Sequence, residues 1–256
     1  MAFRNKSILF VVLALPAAAQ QTCERLSSLT LPGITITLAE RVAAGSFTPP
    51  AARAVTVPAF CRVAGTITPE VHFELWLPAA WNRKLLTAGN GGLAGTINYN
   101  AMLEPLRRGY ASSSTDTGHV ADTDAHWAQG HMERVIDFAH RAVRVTTQAD
   151  KAILRAFYGS AAEHAYFSGC SQGGLEALTE AQRYPNDYDG IIAGDPANYW
   201  THLYAGGHLW IAQATLTDPA GLLSTASRSC GGACLSAETG TSPKSPPRGA
   251  ELGSSE

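Results

Sequence analysis

The segment Gly169-Cys170-Ser171-Gln172-Gly173-Gly174 matches G-x-S-x-G, with the serine hydroxyl flanked by residues that permit a sharp turn. Residues 164–168 before it read as a strand, and residues 175–183 after it read as a helix that stops ahead of Pro185. A serine in that setting is a nucleophile elbow. The turn lifts Oγ clear of the sheet edge, and the helix start favours the negative charge that develops on attack. The bare motif also occurs in ordinary glycine-rich turns. The strand before, the helix after and the further Gly174 decide for Ser171 as the nucleophile of an acyl transfer.

Such a reaction needs two backbone N–H groups aimed at the oxyanion, each typically worth ~3 kcal/mol of barrier. One comes from the residue after the nucleophile, Gln172, and one from a loop after an earlier strand. Residues 84–88 form a short apolar strand leading into Gly89-Asn90-Gly91-Gly92, and Gly92 is assigned the second N–H. The same glycines would also suit a plain tight turn, and which glycine donates is left open.

The elements that must hold these residues follow from periodicity. Residues 34–37, 55–57 and 72–77 have strand character, the last alternating in strand fashion, and residues 109–114 form another strand. Residues 132–158 carry apolar side chains near helical spacing and end at Gly159, which predicts one long amphipathic helix bent at Thr146-Thr147. Strands at 164–168 and 188–193 around the helix at 175–183 make a β-turn-α-β unit, hence an α/β protein with a mostly parallel sheet.

Nineteen basic and 21 acidic residues give a net charge of −2 without a Lys/Arg cluster, so neither nucleic acid nor an anionic membrane is an expected partner. A small neutral or weakly charged ligand fits better. Arg4 and Lys6, the apolar run 8–15 and Pro16-Ala17-Ala18-Ala19 read as a secretory signal cleaved after Ala19, since a membrane span needs ~20 apolar residues. The domain then begins at residue 20, in a secreted or periplasmic setting where disulfides persist. Among five cysteines, Cys23 and Cys61 are the natural N-terminal pair, and the odd count leaves one thiol unpaired or one partner missing. Beyond about Leu223 the sequence turns to Ser, Gly, Pro and Arg, including Cys230 and Cys234, and residues 223–256 are expected to be a disordered tail.

The run from Tyr166 to Gly174, together with Gln182-Arg183-Tyr184-Pro185, Tyr188-Asp189-Gly190-Ile191 and Ala193-Gly194-Asp195-Pro196-Ala197, closely resembles the tannase and feruloyl esterase family. That family also includes the hydrolase of mono(2-hydroxyethyl) terephthalate. Trp81-Asn82, residues 89–95 and Ser114-Thr115-Asp116-Thr117-Gly118-His119 look like further landmarks, so the likeness covers about residues 21–222. It implies an α/β-hydrolase fold and a serine esterase acting on aromatic acid esters. It also implies a Ser-Asp-His triad in which the cysteine before the serine is bonded to one just after the histidine, giving Cys170 a structural partner. No organic or redox cofactor follows. Calcium belongs to the family's inserted lid domain, and this chain shows no acidic calcium loop.

No histidine follows His208, so the second half of the implied triad is missing from this sequence. The expectation is a chain truncated at its C-terminus, without lid and last strands, with little or no turnover and a premature or frame-shifted end. The rival is a non-catalytic secreted protein that keeps the elbow and at most binds aromatic esters. An internal triad of Ser171, Asp195 and His202 or His208 has the right chain order, but no βα unit fits between the aspartate and either histidine. Asp116 and His119 are expected to be structural residues near the pocket, while His126, His131 and His140 are expected to be solvated and have no zinc spacing.

Overall fold

The structure, a computed structural model, describes residues 22–50, 52–120 and 125–218. The expected signal at 1–19, the tail from 223, and Cys230 and Cys234 lie outside the described residues. The chain divides into two compact units, Met1–Tyr199 and Trp200–Glu256.

The first unit is built on a seven-stranded sheet in the order β1-β4-β5-β7-β6-β8-β9. Its strands are β1 (Ile34–Val42), β4 (Phe60–Ile67), β5 (Val71–Pro78), β6 (Lys84–Ala88), β7 (Ala111–Thr115), β8 (His164–Cys170) and β9 (Gly190–Gly194), while β2 (Gly45–Phe47) and β3 (Val55–Val57) pair separately. The β1, β4, β5 and β7 pairings are antiparallel, whereas β6 lies parallel to both β7 and β8, and β8 parallel to β9. Parallel neighbours require crossovers, supplied by α1 (Tyr99–Arg107), then α2 (Met132–Ile136) with α3 (Ala142–Tyr158), and then α4 (Gln172–Arg183). The second unit begins with a π-helical stretch, Thr201–His208, that continues into α5 (Leu209–Thr217).

Two departures from the expected elements have local causes. Residues of β5 do not alternate between buried and exposed: seven of its eight are buried. It is an interior strand, so Phe73, Leu75 and Leu77 face one apolar cluster and Trp76 faces the other, with Phe60, Met102 and Leu106. The long helix is interrupted by a π-turn at Asp137–Arg141 rather than bent at Thr146-Thr147. α3 runs unbroken through the threonines, where Thr147 Oγ1 donates back to the Val143 carbonyl (2.8 Å) and pairs with the Tyr188 hydroxyl. The wider π-turn puts Asp137 against Gly118, where a Cβ would lie 2.7 Å from the aspartate's Cβ.

Cys23 and Cys61 form the expected disulfide, closing a separation of 38 residues and fixing the first turn, Cys23–Ser28, onto β4. In the chain-entropy model a loop of that length contributes ~4 kcal/mol through the unfolded state. Replacing both cysteines by alanine is therefore expected to lower unfolding free energy by ~2–4 kcal/mol in urea denaturation, with the native fold retained.

Asp150 of α3 and Glu176 and Glu180 of α4 are buried against the sheet, and burial pushes all three carboxyls up to about 8. The folded state thus holds protons that the unfolded chain has released above its ordinary carboxylate range. The associated stability is complete below that range and is lost as pH rises through about 8. Burial lowers the basicity of His119 and His140. Thermal melting at constant ionic strength is expected to show a falling midpoint between about pH 6.5 and 8.5, and Asp150→Asn should flatten that slope.

Candidate active site

β8 ends at Cys170, α4 begins at Gln172, and Ser171 between them has φ 60° and ψ −115°. A side chain at positive φ costs ~1–3 kcal/mol and persists only where neighbours over-determine it. Here the Ser171 N–H donates to the Gly194 carbonyl (3.0 Å), and the Ser171 carbonyl accepts from the N–H groups of Ala197 (2.8 Å) and Leu175 (3.1 Å). The end of β9 and the segment after it therefore hold the serine through both of its backbone polar groups. The flanking glycines are required by contact. A Cβ on residue 169 would lie 2.3 Å from the Gly173 carbonyl oxygen, and one on residue 174 would lie 2.5 Å from that of Gly194. Ser171 and the free thiol of Cys170 are exposed.

The loop after β6 rests on the first turn of α4. Gly89 N–H donates to the Ser168 carbonyl (2.9 Å), and Gly173 N–H donates to the Asn90 carbonyl (2.7 Å). Asn90 is buried, its Nδ2 donates to the Thr115 carbonyl (2.8 Å), and its own N–H donates to Glu176 Oε2 (3.1 Å). Asn98 Nδ2 holds the Gly89 carbonyl (2.8 Å) while Asn98 Oδ1 caps α1 through Ala101 N–H (3.2 Å). Tyr99 in turn ties α1 to the sheet, its hydroxyl donating to Glu74 Oε1 (3.0 Å). Gly92 follows at φ 59°, exposed, and among the described residues no backbone carbonyl takes the N–H of Gly91 or Gly92. Gln172 opens α4, where the first N–H groups have no intrahelical acceptor. The arrangement thus joins the elbow and the glycine loop through Asn90. A cleft of about 570 Å³ lined by Pro50, Asn90, Gly91, Ile97 and Tyr99 opens beside the loop. A second, of about 610 Å³, lies by the disulfide and holds no candidate residue except Cys23 and Cys61.

The remaining candidates separate. Asp116 is buried at the end of β7 and turns to His72, accepting from its N–H (2.9 Å) and lying 2.6 Å from its Nδ1, and it also accepts from Gly118 N–H (2.9 Å). Burial raises its carboxyl above the ordinary range. His119 donates from Nε2 to the Leu93 carbonyl (2.8 Å) and stacks on Trp127 at 3.8 Å, with desolvation lowering its basicity. Asp116 and His119 are therefore not a dyad, and both brace the loops around the cleft. His131 is exposed and pairs with Glu133, but His140 is half-buried, with Nδ1 3.0 Å from the Tyr184 hydroxyl, and so is not a solvated side chain. Asp195 follows β9, exposed, at φ 37°. His202 and His208 belong to the second unit, where His208 Nδ1 lies 2.7 Å from the Leu203 carbonyl.

Asn90 and Glu176 were not among the residues singled out from sequence. Their signal was faint: a carboxylate at 176 and another at 180 share one helix face in a segment otherwise of small and apolar residues. Among the described residues no group of three or more His, Cys, Asp or Glu is placed to hold a metal ion.

A family model described as tannase and feruloyl esterase matches residues 52–229. An uncharacterized esterase of Xanthomonas campestris pv. campestris is 41% identical over 217 residues, covering 82% of this chain and 38% of that protein. A probable feruloyl esterase B-1 of Aspergillus fumigatus is 34% identical over 166 residues, covering 63% and 31%. Among solved structures, feruloyl esterase B from Aspergillus oryzae superposes with a TM-score of 0.67 at 30% identity, covering 72% of this chain and 38% of that one. The tannin acyl hydrolase from Aspergillus niger gives 0.55 at 29% identity, covering 74% and 38%. The chain spans well under half the length of these relatives.

Because the residue-169 Cβ would collide with backbone that cannot retreat without opening α4, Gly169→Ala is expected to destabilise the fold by more than ~2 kcal/mol. Urea denaturation measures that cost, and a neutral result would mean that the tight elbow is not needed.

Proposed function

The chain belongs to the tannase and feruloyl esterase family, and from that premise we propose that it is an exported serine carboxylic-ester hydrolase acting on aromatic acid esters. The observation that carries the reading is Ser171 at φ 60° on a strand-to-helix turn, clamped by Gly194 and Ala197. In the proposed mechanism Ser171 Oγ attacks the ester carbonyl carbon as a general base takes its proton. The tetrahedral oxyanion accepts from the N–H groups of Gln172 and Gly92, with the N-terminus of α4 adding to the favourable field. Collapse expels the alcohol, which takes up the proton, and water then releases the acid from the acyl-serine by the same route. The disulfide Cys23–Cys61 supports export, since such bonds persist in oxidising compartments. No described helix is long and apolar enough to cross a membrane.

The general base must be an imidazole within hydrogen-bond reach of Oγ. In the first unit His72, His119 and His140 each commit a ring nitrogen to Asp116, Leu93 or Tyr184. One ring nitrogen held in this way leaves the other able to act, but among the described residues no hydrogen bond joins Ser171 Oγ to an imidazole. This favours a second reading for this chain, in which the elbow is retained and aromatic esters are bound with little turnover.

Hydrolysis of an activated aryl ester of a hydroxybenzoic or hydroxycinnamic acid separates the two. The enzyme reading expects turnover that Ser171→Ala lowers by at least ~10³-fold in kcat/KM. Saturable binding without Ser171-dependent turnover would favour the second reading, and turnover undiminished by Ser171→Ala would overturn Ser171 as nucleophile.

A further inference from the structure

We propose that Glu176 is a positioning residue for this site, its buried carboxyl pinning the loop at residues 89–92 to the helix that carries the nucleophile. The inference rests on the esterase reading for its consequence but on the fold for its geometry. Glu176 lies in the second turn of α4, nine-tenths or more buried, and Oε2 accepts the N–H of Asn90 (3.1 Å) across 86 residues of sequence. The Asn90 carbonyl accepts in turn from Gly173 N–H, in the first turn of the same helix (2.7 Å). Both backbone polar groups of one loop residue are therefore held by one helix. A third bond, from Asn90 Nδ2 to the Thr115 carbonyl, fixes the residue against twisting.

That loop leads directly to Gly91 and Gly92, which have no backbone carbonyl to hold their N–H groups among the described residues. An oxyanion donor is useful only when it waits, already aimed, within ~3 Å of the developing charge. The rigidity must come from the residue before, and Asn90 is the only residue of the four that is buried together with its side chain. A leucine at 176 would serve packing alone at lower desolvation cost. The carboxyl instead keeps Oε2 on the Asn90 N–H (3.1 Å). Burial keeps the group protonated through neutrality. A neutral acid one turn behind the nucleophile does not oppose the oxyanion's charge as a carboxylate would.

The test uses the full chain and two readouts. The first is the bimolecular rate at which a p-nitrophenyl phosphonate labels Ser171, followed by intact mass with Ser171→Ala as control. The phosphonyl oxygen occupies the oxyanion position. The second is amide hydrogen exchange of the peptide spanning residues 89–92 at fixed pH, which needs no chemistry at Ser171. Glu176→Leu is expected to slow labelling by ~10-fold or more and to speed exchange in that peptide by a similar factor, leaving α3 protected as before. Glu176→Gln, which keeps an acceptor oxygen at the same place, should recover most of both losses. The proposal is overturned if Glu176→Leu labels and exchanges like the parent, if Glu176→Gln fares no better than leucine, or if exchange rises equally throughout the fold. Failure of the parent chain to label at Ser171 counts against the esterase reading, while the exchange arm still decides the role of Glu176.

Discussion

A serine held at positive φ between a strand and a helix needs support that its own backbone cannot provide. Here Gly194 and Ala197 grip the two sides of the Ser171 peptide, so β9 and the segment after it must be in place before the elbow exists. β9 in turn is held parallel to β8 along five residue pairs. The close approaches at residues 169 and 174 convert that demand into composition: a methyl group at either would strike backbone. The reactive position is thus a property of the β8-α4-β9 unit, and the strain at one residue is offset by regular hydrogen bonding in the rest.

The second requirement is that a loop from elsewhere in the sheet meet this unit. The parallel arrangement achieves it, because β6 lies beside β8 in register, with Ala88 opposite Ser168, so the two strands release their loops at the same edge. Asn90 then joins the loop to α4 and to β7, while Asn98 fastens it to α1. Two crossover helices and one strand therefore meet at one short glycine-rich segment. The antiparallel strands β1, β4 and β5 stand further away, and with the disulfide they supply a stable flank.

What could be read from sequence follows the range of the physics involved. The elbow is legible because its constraints fall at fixed offsets around Ser171, and the C-cap at Gly159 is legible because its φ of 71° favours glycine. The Cys23–Cys61 bond was legible from compartment and position. The link between Asn90 and Glu176 was not, since it depends on which strands lie side by side, and β6 lying between β7 and β8 is not given by chain order. Burial on both faces of β5 and the partner of His140 escaped for the same reason: each is decided by a neighbour distant in sequence. The π-turn at Asp137–Arg141 was masked by an otherwise regular helical pattern.

The central claim is that Ser171 carries the acyl group. Acid-quenching the chain during reaction with an activated aromatic ester, then locating the adduct by peptide mass spectrometry, tests it most directly. The account predicts one acyl group on the peptide containing Ser171, absent from Ser171→Ala. An acyl group on another side chain, or hydrolysis with no acyl-serine under conditions where deacylation is rate-limiting, would contradict it.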